Sequence, residues 1–256
     1  MLRWLPTAWQ YGFLKRISPG ENASEESFYK GRSKLNVQFG QAFLDEVRGK
    51  VVIDFGCGEG AQTIELAKAG ACLVIGLDIR EEQLERARMA AQEAGVSKSC
   101  QFATSTSVRA DIVVSLDSFE HFEDPGAELR RMHGLLKPGG ILMASFGPTW
   151  YHPLGGHLFS VFPWAHLVFS ERALIRWRSD LRDDGATSFS EVSGGLNKIT
   201  IRRFCRLVDK AYFRTESIEC VPIRNMRWLH NRLTREWTTA VVRARLRKTD
   251  AKADDR

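Results

Sequence analysis

Residues 51–60 read Val51-Val52-Ile53-Asp54-Phe55-Gly56-Cys57-Gly58-Glu59-Gly60. Three β-branched residues running into an acid predict a strand, and glycines at alternate positions predict a tight turn before a helix. Such glycines let the backbone approach a ligand with no Cβ in the way, and the helix that follows offers unpaired N–H groups in its first turn. A nucleotide-like ligand suits that arrangement. A dinucleotide site would space its glycines as G-x-G-x-x-G and lay a pyrophosphate on the helix N-terminus. Here the spacing places Asp54 within the turn and Glu59 at the helix mouth. Two carboxylates repel a pyrophosphate and suit a ligand carrying an amino group and a sulfonium.

Outward from this stretch, strand and helix alternate. Leu73 to Leu77 reads as a second buried strand ending in Asp78, an acid placed to accept both hydroxyls of a ribose at the carboxyl end of a sheet, or else to cap the next helix. Residues 81–94 have helical spacing at Leu84, Ala87, Met89 and Ala91 and stop at Gly95. Strands are expected at 99–103, 111–116 and 141–146, with a helix from Pro125 to Leu136 between the last two. This alternation predicts a parallel sheet with right-handed crossovers. Further on, residues 199–211 read as a helix, and 213–220 and 237–246 as strands.

Taken in order, VVIDFGCGEG, VIGLDIR and LDSFEHFEDPGAELRRMHGLLKPGGILMASFGP resemble the motifs of class I S-adenosylmethionine (SAM) methyltransferases, of the methyltransferase type 11 or ubiquinone-biosynthesis-like O-methyltransferase group. The resemblance covers about residues 30–148. It implies an α/β fold: a Rossmann-like, doubly wound, mostly parallel sheet of seven strands with an antiparallel C-terminal strand. It also implies SAM as cofactor, held around Asp54, Gly56, Cys57, Gly58, Asp78, Ile79 and Leu116. Many members carry an acid after the third strand for the adenine amino group. This chain has FATSTSV there, which leaves Thr104 and Ser105 as the adenine contacts.

Residues 150–169 are rich in aromatics and carry Pro153, Gly155, Gly156 and Pro163 without a clean helical or strand period. That run is too apolar for a solvated loop and reads as a lid or substrate insert, with Trp150, Tyr151 and His152 as acceptor contacts. The expected organisation is an N-terminal cap segment over 1–30, a SAM-binding domain over 31–248 with its insert at about 149–198, and a frayed tail over 249–256.

The chemistry is expected at Asp117, Glu120 and His121, after the fourth strand. If the chain entered a helix there, positions i, i+3 and i+4 would share a face. Two carboxylates and an imidazole suit a divalent metal, with magnesium, manganese, iron and zinc all within range. Such an ion would lower the pKa of an acceptor oxygen. The grouping resembles the metal-dependent O-methyltransferases of ubiquinone biosynthesis and the enzymes that methylate the 2′-oxygen at RNA 3′ ends. In those families further ligands come from after the fifth strand, where His157 and His166 are the matches. Equally, metal-free relatives use such a histidine as a general base, with His121 and Glu120 catalytic. Cys57 reads as a short packing residue rather than a nucleophile.

A chain of 256 residues can bury one substantial core, and its five cysteines, without a C-x-x-C pair, point to a reduced, cytoplasmic protein. No apolar run reaches the roughly 20 residues of a membrane span. The aromatic and basic N-terminus, with Trp4, Trp9, Phe13, Lys15 and Arg16, suits either packing beside the site or peripheral contact with a membrane. The net charge of +6 is concentrated between residues 198 and 248. It offers an anionic partner a surface or simply forms solvated faces. The leading reading is O-methylation of a small, partly aromatic or lipid-like molecule. RNA as acceptor, and a catalytically silent SAM-binding partner subunit, are the other readings.

Overall fold

The structure is a computed structural model, described here for residues 2–18, 31–156, 159, 162–183, 185–189, 191 and 196–249. Seven strands form one sheet in the order β3-β2-β1-β4-β5-β7-β6. They are β1 (Val51–Phe55), β2 (Leu73–Leu77), β3 (Cys100–Ala103), β4 (Ala110–Leu116), β5 (Leu136–Phe146), β6 (Phe213–Pro222) and β7 (Thr239–Lys248). The first five pair in parallel, and β7 runs antiparallel to both β5 and β6. This is the expected α/β architecture, including the antiparallel final strand.

Pleating explains why the central strands are apolar on both sides. Ile53, Ile75, Val113 and Leu142 point to one face, under Leu129 and Met132 of helix α6 (Pro125–Leu135) and Phe204 and Val208 of α9 (Ile201–Lys210). Their neighbours Val52, Val74, Ile112, Val114 and Met143 point to the other, against Leu35 of α2 (Lys34–Phe39), Phe43 of α3 (Gln41–Glu46) and Leu66 of α4 (Ala61–Lys68). In α5 (Glu81–Glu93) the buried stripe is Leu84, Ala87 and Ala91, while Met89 faces solvent. Helix α6 starts where the sequence places it: Asp124 accepts the N–H groups of Gly126 and Ala127 at 2.9 and 3.0 Å, and Pro125 needs no partner for its missing N–H.

Two strand starts differ most from expectation. Strand β5 begins at Leu136 rather than Ile141, passing an irregularity in its pairing with β4 between Ala110 and Ile112. Residues 235–238 are helical (α10, Arg235–Thr238), so β7 begins at Thr239 rather than Trp237.

The N-terminal helix α1 (Thr7–Ile17) packs on the insert rather than on the sheet. Its Leu14 enters a separate apolar cluster with Phe159, Phe169, Leu174, Trp177 and Phe189. That insert contains α7 (Ala165–Val168) and α8 (Glu171–Ser179). The latter was not anticipated, although Ser170 caps it through the Ala173 N–H. Arg3 fastens the N-terminus to the insert by donating to the carbonyls of Phe169 and His166 at 3.1 and 2.7 Å. Among the described residues no helix is long and apolar enough to cross a membrane.

Candidate active site

In a parallel sheet the strands' carboxyl ends share one edge, which brings Gly56, Asp78, Thr104 and Asp117 to the same side. The glycine turn is fixed to β2 by backbone bonds from Gly56 and Cys57 to the Leu77 carbonyl, at 2.8 and 2.9 Å. Gly58 and Gly60 do different work. A Cβ at Gly58 (φ 51°) would meet nothing within 4 Å, leaving open space along the backbone for a ligand. At Gly60 (φ 81°) a Cβ would come within 2.9 Å of both Ala87 and Phe102, so this glycine lets helix and turn pack closely.

Asp78 is nearly buried and sits across from this opening. One carboxylate oxygen accepts the Gly58 N–H at 3.0 Å, and the other accepts the Arg80 N–H at 3.0 Å and the Arg80 Nε at 3.1 Å. Burial pushes the Asp78 carboxyl up, but the Arg80 guanidinium and the backbone N–H bonds outweigh it and hold the pKa below the ordinary value. Asp78 is therefore an ionised acceptor at the mouth of the turn. It does not cap α5, whose N-cap position is Arg80 without a side-chain cap bond. Arg80 itself was missed by sequence reasoning, because a basic residue before a helix has nothing to distinguish it. Next to Asp78, Ile79 is 84% exposed, an apolar surface beside the acid.

Asp54 and Glu59 correct the expectation of two acids facing a ligand. Asp54 lies within β1, not in the turn, and is buried with its carboxylate accepting the Thr63 hydroxyl at 2.7 Å. Burial, helped by the charge of Asp78, raises its pKa to about 6 against the pull of the Thr63 bonds. Glu59 points outward and pairs with Arg86 at 2.9 Å. Cys57 packs against Leu84, Ala87 and Phe102, and burial pushes its thiol far up, so it stays protonated. Thr104 and Ser105 are exposed at the end of β3, and the Thr104 carbonyl accepts an N–H of Arg131 at 3.1 Å. Leu116 is buried at the end of β4.

The segment after β4 does not form the expected helix face. Asp117 has φ 49°, which breaks the strand into a tight turn closed by the His121 N–H on the Ser118 carbonyl at 3.0 Å, and α6 begins only at Pro125. The side chains consequently part. Asp117 pairs with Lys34 of α2 at 3.0 Å. Glu120 is buried, and its Oε1 accepts the Gly147 N–H beyond β5 at 3.1 Å. Asn197 fastens the turn from outside, donating its side-chain N–H groups to the carbonyls of Phe119 and Phe122 at 2.5 and 2.7 Å.

The histidines of the insert do not join them. His166 donates Nε2–H to the Trp150 carbonyl at 2.5 Å and lies edge-on to that indole at 4.5 Å. His152 accepts the Leu154 N–H on Nδ1. Burial lowers the pKa of both to about 4, keeping them neutral. His157 lies outside the described residues. Among the described residues no group of three or more His, Cys, Asp and Glu side chains is placed to hold a metal ion.

Trp150 is held between His166 and Phe189 with the Lys198 ammonium 5.6 Å over its ring, which makes it a packing element of the insert. Tyr151 instead stacks on Trp237, from the segment before β7, at 4.9 Å.

Residues 53–144 match the family model for a methyltransferase domain. A ubiquinone biosynthesis O-methyltransferase from Bordetella avium is 34% identical over 117 residues, covering 43% of this chain and 48% of that protein. The Proteus mirabilis protein of the same name is 31% identical over 149 residues, covering 56% and 54%. The chain thus spans about half the length of the curated relatives it matches. A SAM-dependent methyltransferase from Mesorhizobium loti superposes with a TM-score of 0.55 over 86% of this chain and 99% of that one, at 19% identity. The SAM-bound magnesium protoporphyrin IX methyltransferase from Synechocystis gives 0.55 over 93% and 91%, also at 19% identity. Residues 53–144 thus resemble a methyltransferase domain, and the chain shares its fold with SAM-dependent methyltransferases of known structure.

Proposed function

We propose that this chain transfers a methyl group from SAM to an oxygen of a small, partly aromatic or lipid-like acceptor. The observation that carries the reading is the Gly58–Asp78 unit: backbone with open space where a Cβ would stand, hydrogen-bonded to an ionised and pre-oriented carboxylate. Asp78 would take the ribose hydroxyls, Ile79 would pack on the adenine, and Thr104 and Ser105 would meet its polar edge. Gly58 lets the backbone approach, Gly56 makes room for Ser118, whose Oγ would lie 2.8 Å from a Cβ there, and Leu116 would line the floor. Bound there, SAM supplies an electrophilic methyl on a sulfonium, open to in-line displacement.

His121 takes the proton from the acceptor hydroxyl in this reading, since its turn opens at the same edge of the sheet. Glu120 is too buried to meet an acceptor. It acts as a positioning residue, tying that turn to the end of β5 through Gly147. The Tyr151–Trp237 pair lines the acceptor side, where rings suit an apolar ligand. The relatives named for O-methylation in ubiquinone biosynthesis support oxygen as the acceptor atom.

The basic C-terminal third gives RNA less support than its composition suggests. Arg243 and Arg245 pair with Glu219, Glu216 and Glu46 at 3.3, 2.8 and 2.8 Å, and Arg247 also bonds Glu216. Calorimetric titration with SAM, followed by a methyl-transfer assay on a panel of phenolic and lipid-tailed acceptors, tests the proposal. No SAM binding would end it; binding without turnover on any acceptor would favour the silent-subunit reading.

A further inference from the structure

We propose that the segment between β6 and β7, together with α1, docks this chain onto an anionic lipid surface. The segment runs through a short helical turn, Arg224–Leu229, to α10. Trp228 is 82% exposed and Leu233 is 91% exposed. Around them Arg224, Arg227, Arg232 and Arg235 all reach solvent. The one acid in the segment, Glu236, is turned inward, where it accepts the N–H groups of Ile201 and Arg202 at 3.1 and 2.9 Å. Large apolar tips ringed by cations with no outward acid are complementary to a surface that is negative outside and hydrocarbon within.

A second, separate piece of sequence repeats the composition. On α1, Trp9 and Phe13 lie one turn apart and outward, 71% and 48% exposed, while Gln10 and Leu14 face in. Trp4 just before them is 80% exposed, and Arg16 is exposed beside them. Both pieces sit at the cofactor end of the sheet. Val242 at the start of β7 pairs with Phe146 at the carboxyl end of β5, and α1 rests on the insert that follows β5. The Tyr151–Trp237 contact joins the docking segment to the acceptor side of the site. A lipid-tailed acceptor could therefore enter from the bilayer without crossing water. The inference deepens the acceptor class proposed above and rests on that reading only for its purpose, not for the binding itself.

Lipid fits better than RNA because of Leu233. Single-stranded nucleic acid uses aromatic faces and cations, whereas an aliphatic tip gains only by entering hydrocarbon.

The test is flotation of the full chain with vesicles of phosphatidylcholine alone and of equal parts phosphatidylcholine and phosphatidylglycerol. We expect salt-sensitive binding to the mixed vesicles, and W228S/L233S, which removes no packed side chain, to weaken partitioning about tenfold or more. R227Q/R232Q should erase the preference for the anionic vesicles. SAM affinity, measured without vesicles, should be unchanged in both variants. No flotation with the mixed vesicles, or flotation unaffected by W228S/L233S, overturns the proposal. So does displacement from vesicles by a single-stranded RNA, which would reassign the surface to RNA. Vesicle binding in a chain that fails to bind SAM would leave the docking surface standing and remove the methyl-transfer reading alone.

Discussion

The carboxylate of Asp78 accepts the Gly58 backbone N–H at 3.0 Å, so the acid after β2 and the glycine turn after β1 form one unit. Twenty positions of sequence separate them, and the register of β1 on β2 closes the gap. Arg80, through its N–H and Nε, holds the other carboxylate oxygen of the same acid.

Asp78→Asn keeps an oxygen for the Gly58 N–H but gives up the charge and one of the two acceptors. Hydrogen bonds to charged groups contribute about 1.5–3 kcal/mol, so SAM affinity should fall about tenfold to a hundredfold. Calorimetry measures this directly. An affinity equal to wild type would place the ribose elsewhere.

The buried Asp54 should set a pH dependence of stability. Its pKa is about 6 in the folded chain against the ordinary 3.8, so the folded state holds the proton through that window while the unfolded state has released it. Stability therefore falls as pH rises from about 4 to 6, and the full cost at neutral pH is roughly 3 kcal/mol. Asp54→Asn keeps an acceptor for the Thr63 hydroxyl without the buried charge. It should raise the melting temperature at neutral pH and change it little in mild acid, as followed by thermal unfolding across that range. A lower melting temperature at neutral pH would contradict the account.

Glu120 separates two roles by two substitutions. Glu120→Gln preserves an acceptor for the Gly147 N–H and should keep most of the turnover and stability. Glu120→Ala strands that N–H and should cost about 1–3 kcal/mol of stability with a clear loss of turnover. Unfolding curves and kcat on the pair decide it. Loss of turnover in the glutamine variant at full stability would make Glu120 a proton carrier instead.

His121→Ala should lower kcat by about a hundredfold to ten-thousandfold while leaving SAM affinity within a few-fold, as expected for a lost general base. Because Asp117 is paired with Lys34, Glu120 faces Gly147 and His166 faces the Trp150 carbonyl, activity should also survive exhaustive chelation. Loss of activity on chelation, restored by one divalent ion, would show that the donors regroup.

Much of the fold was legible because its signals are local. Val51 to Gly60 carries strand, turn and helix start within ten residues, and Pro125 marks a helix start by itself. The start of β5 was misread because Lys137-Pro138-Gly139-Gly140 looks like a loop, yet the pairing of Leu136 with Ala110 of β4 carries the strand through it. The insert was legible only as apolar. Its helix α8 is held by α1, whose Leu14 lies far upstream, and no short window contains both.

Amino-acid order by itself determined the alternating α/β scaffold, the glycine turn and the acid at Asp78, since each depends on residue type within a few positions. Tertiary structure alone decided what the acids and histidines of the site do. Asp54 became a buried support, Asp117 an ion-pair partner of Lys34, Glu120 a brace for Gly147 and His166 a packed neutral ring. The physical reason is that a carboxylate or imidazole takes its role from its burial and its partners, and here those partners lie on other segments brought close only by folding.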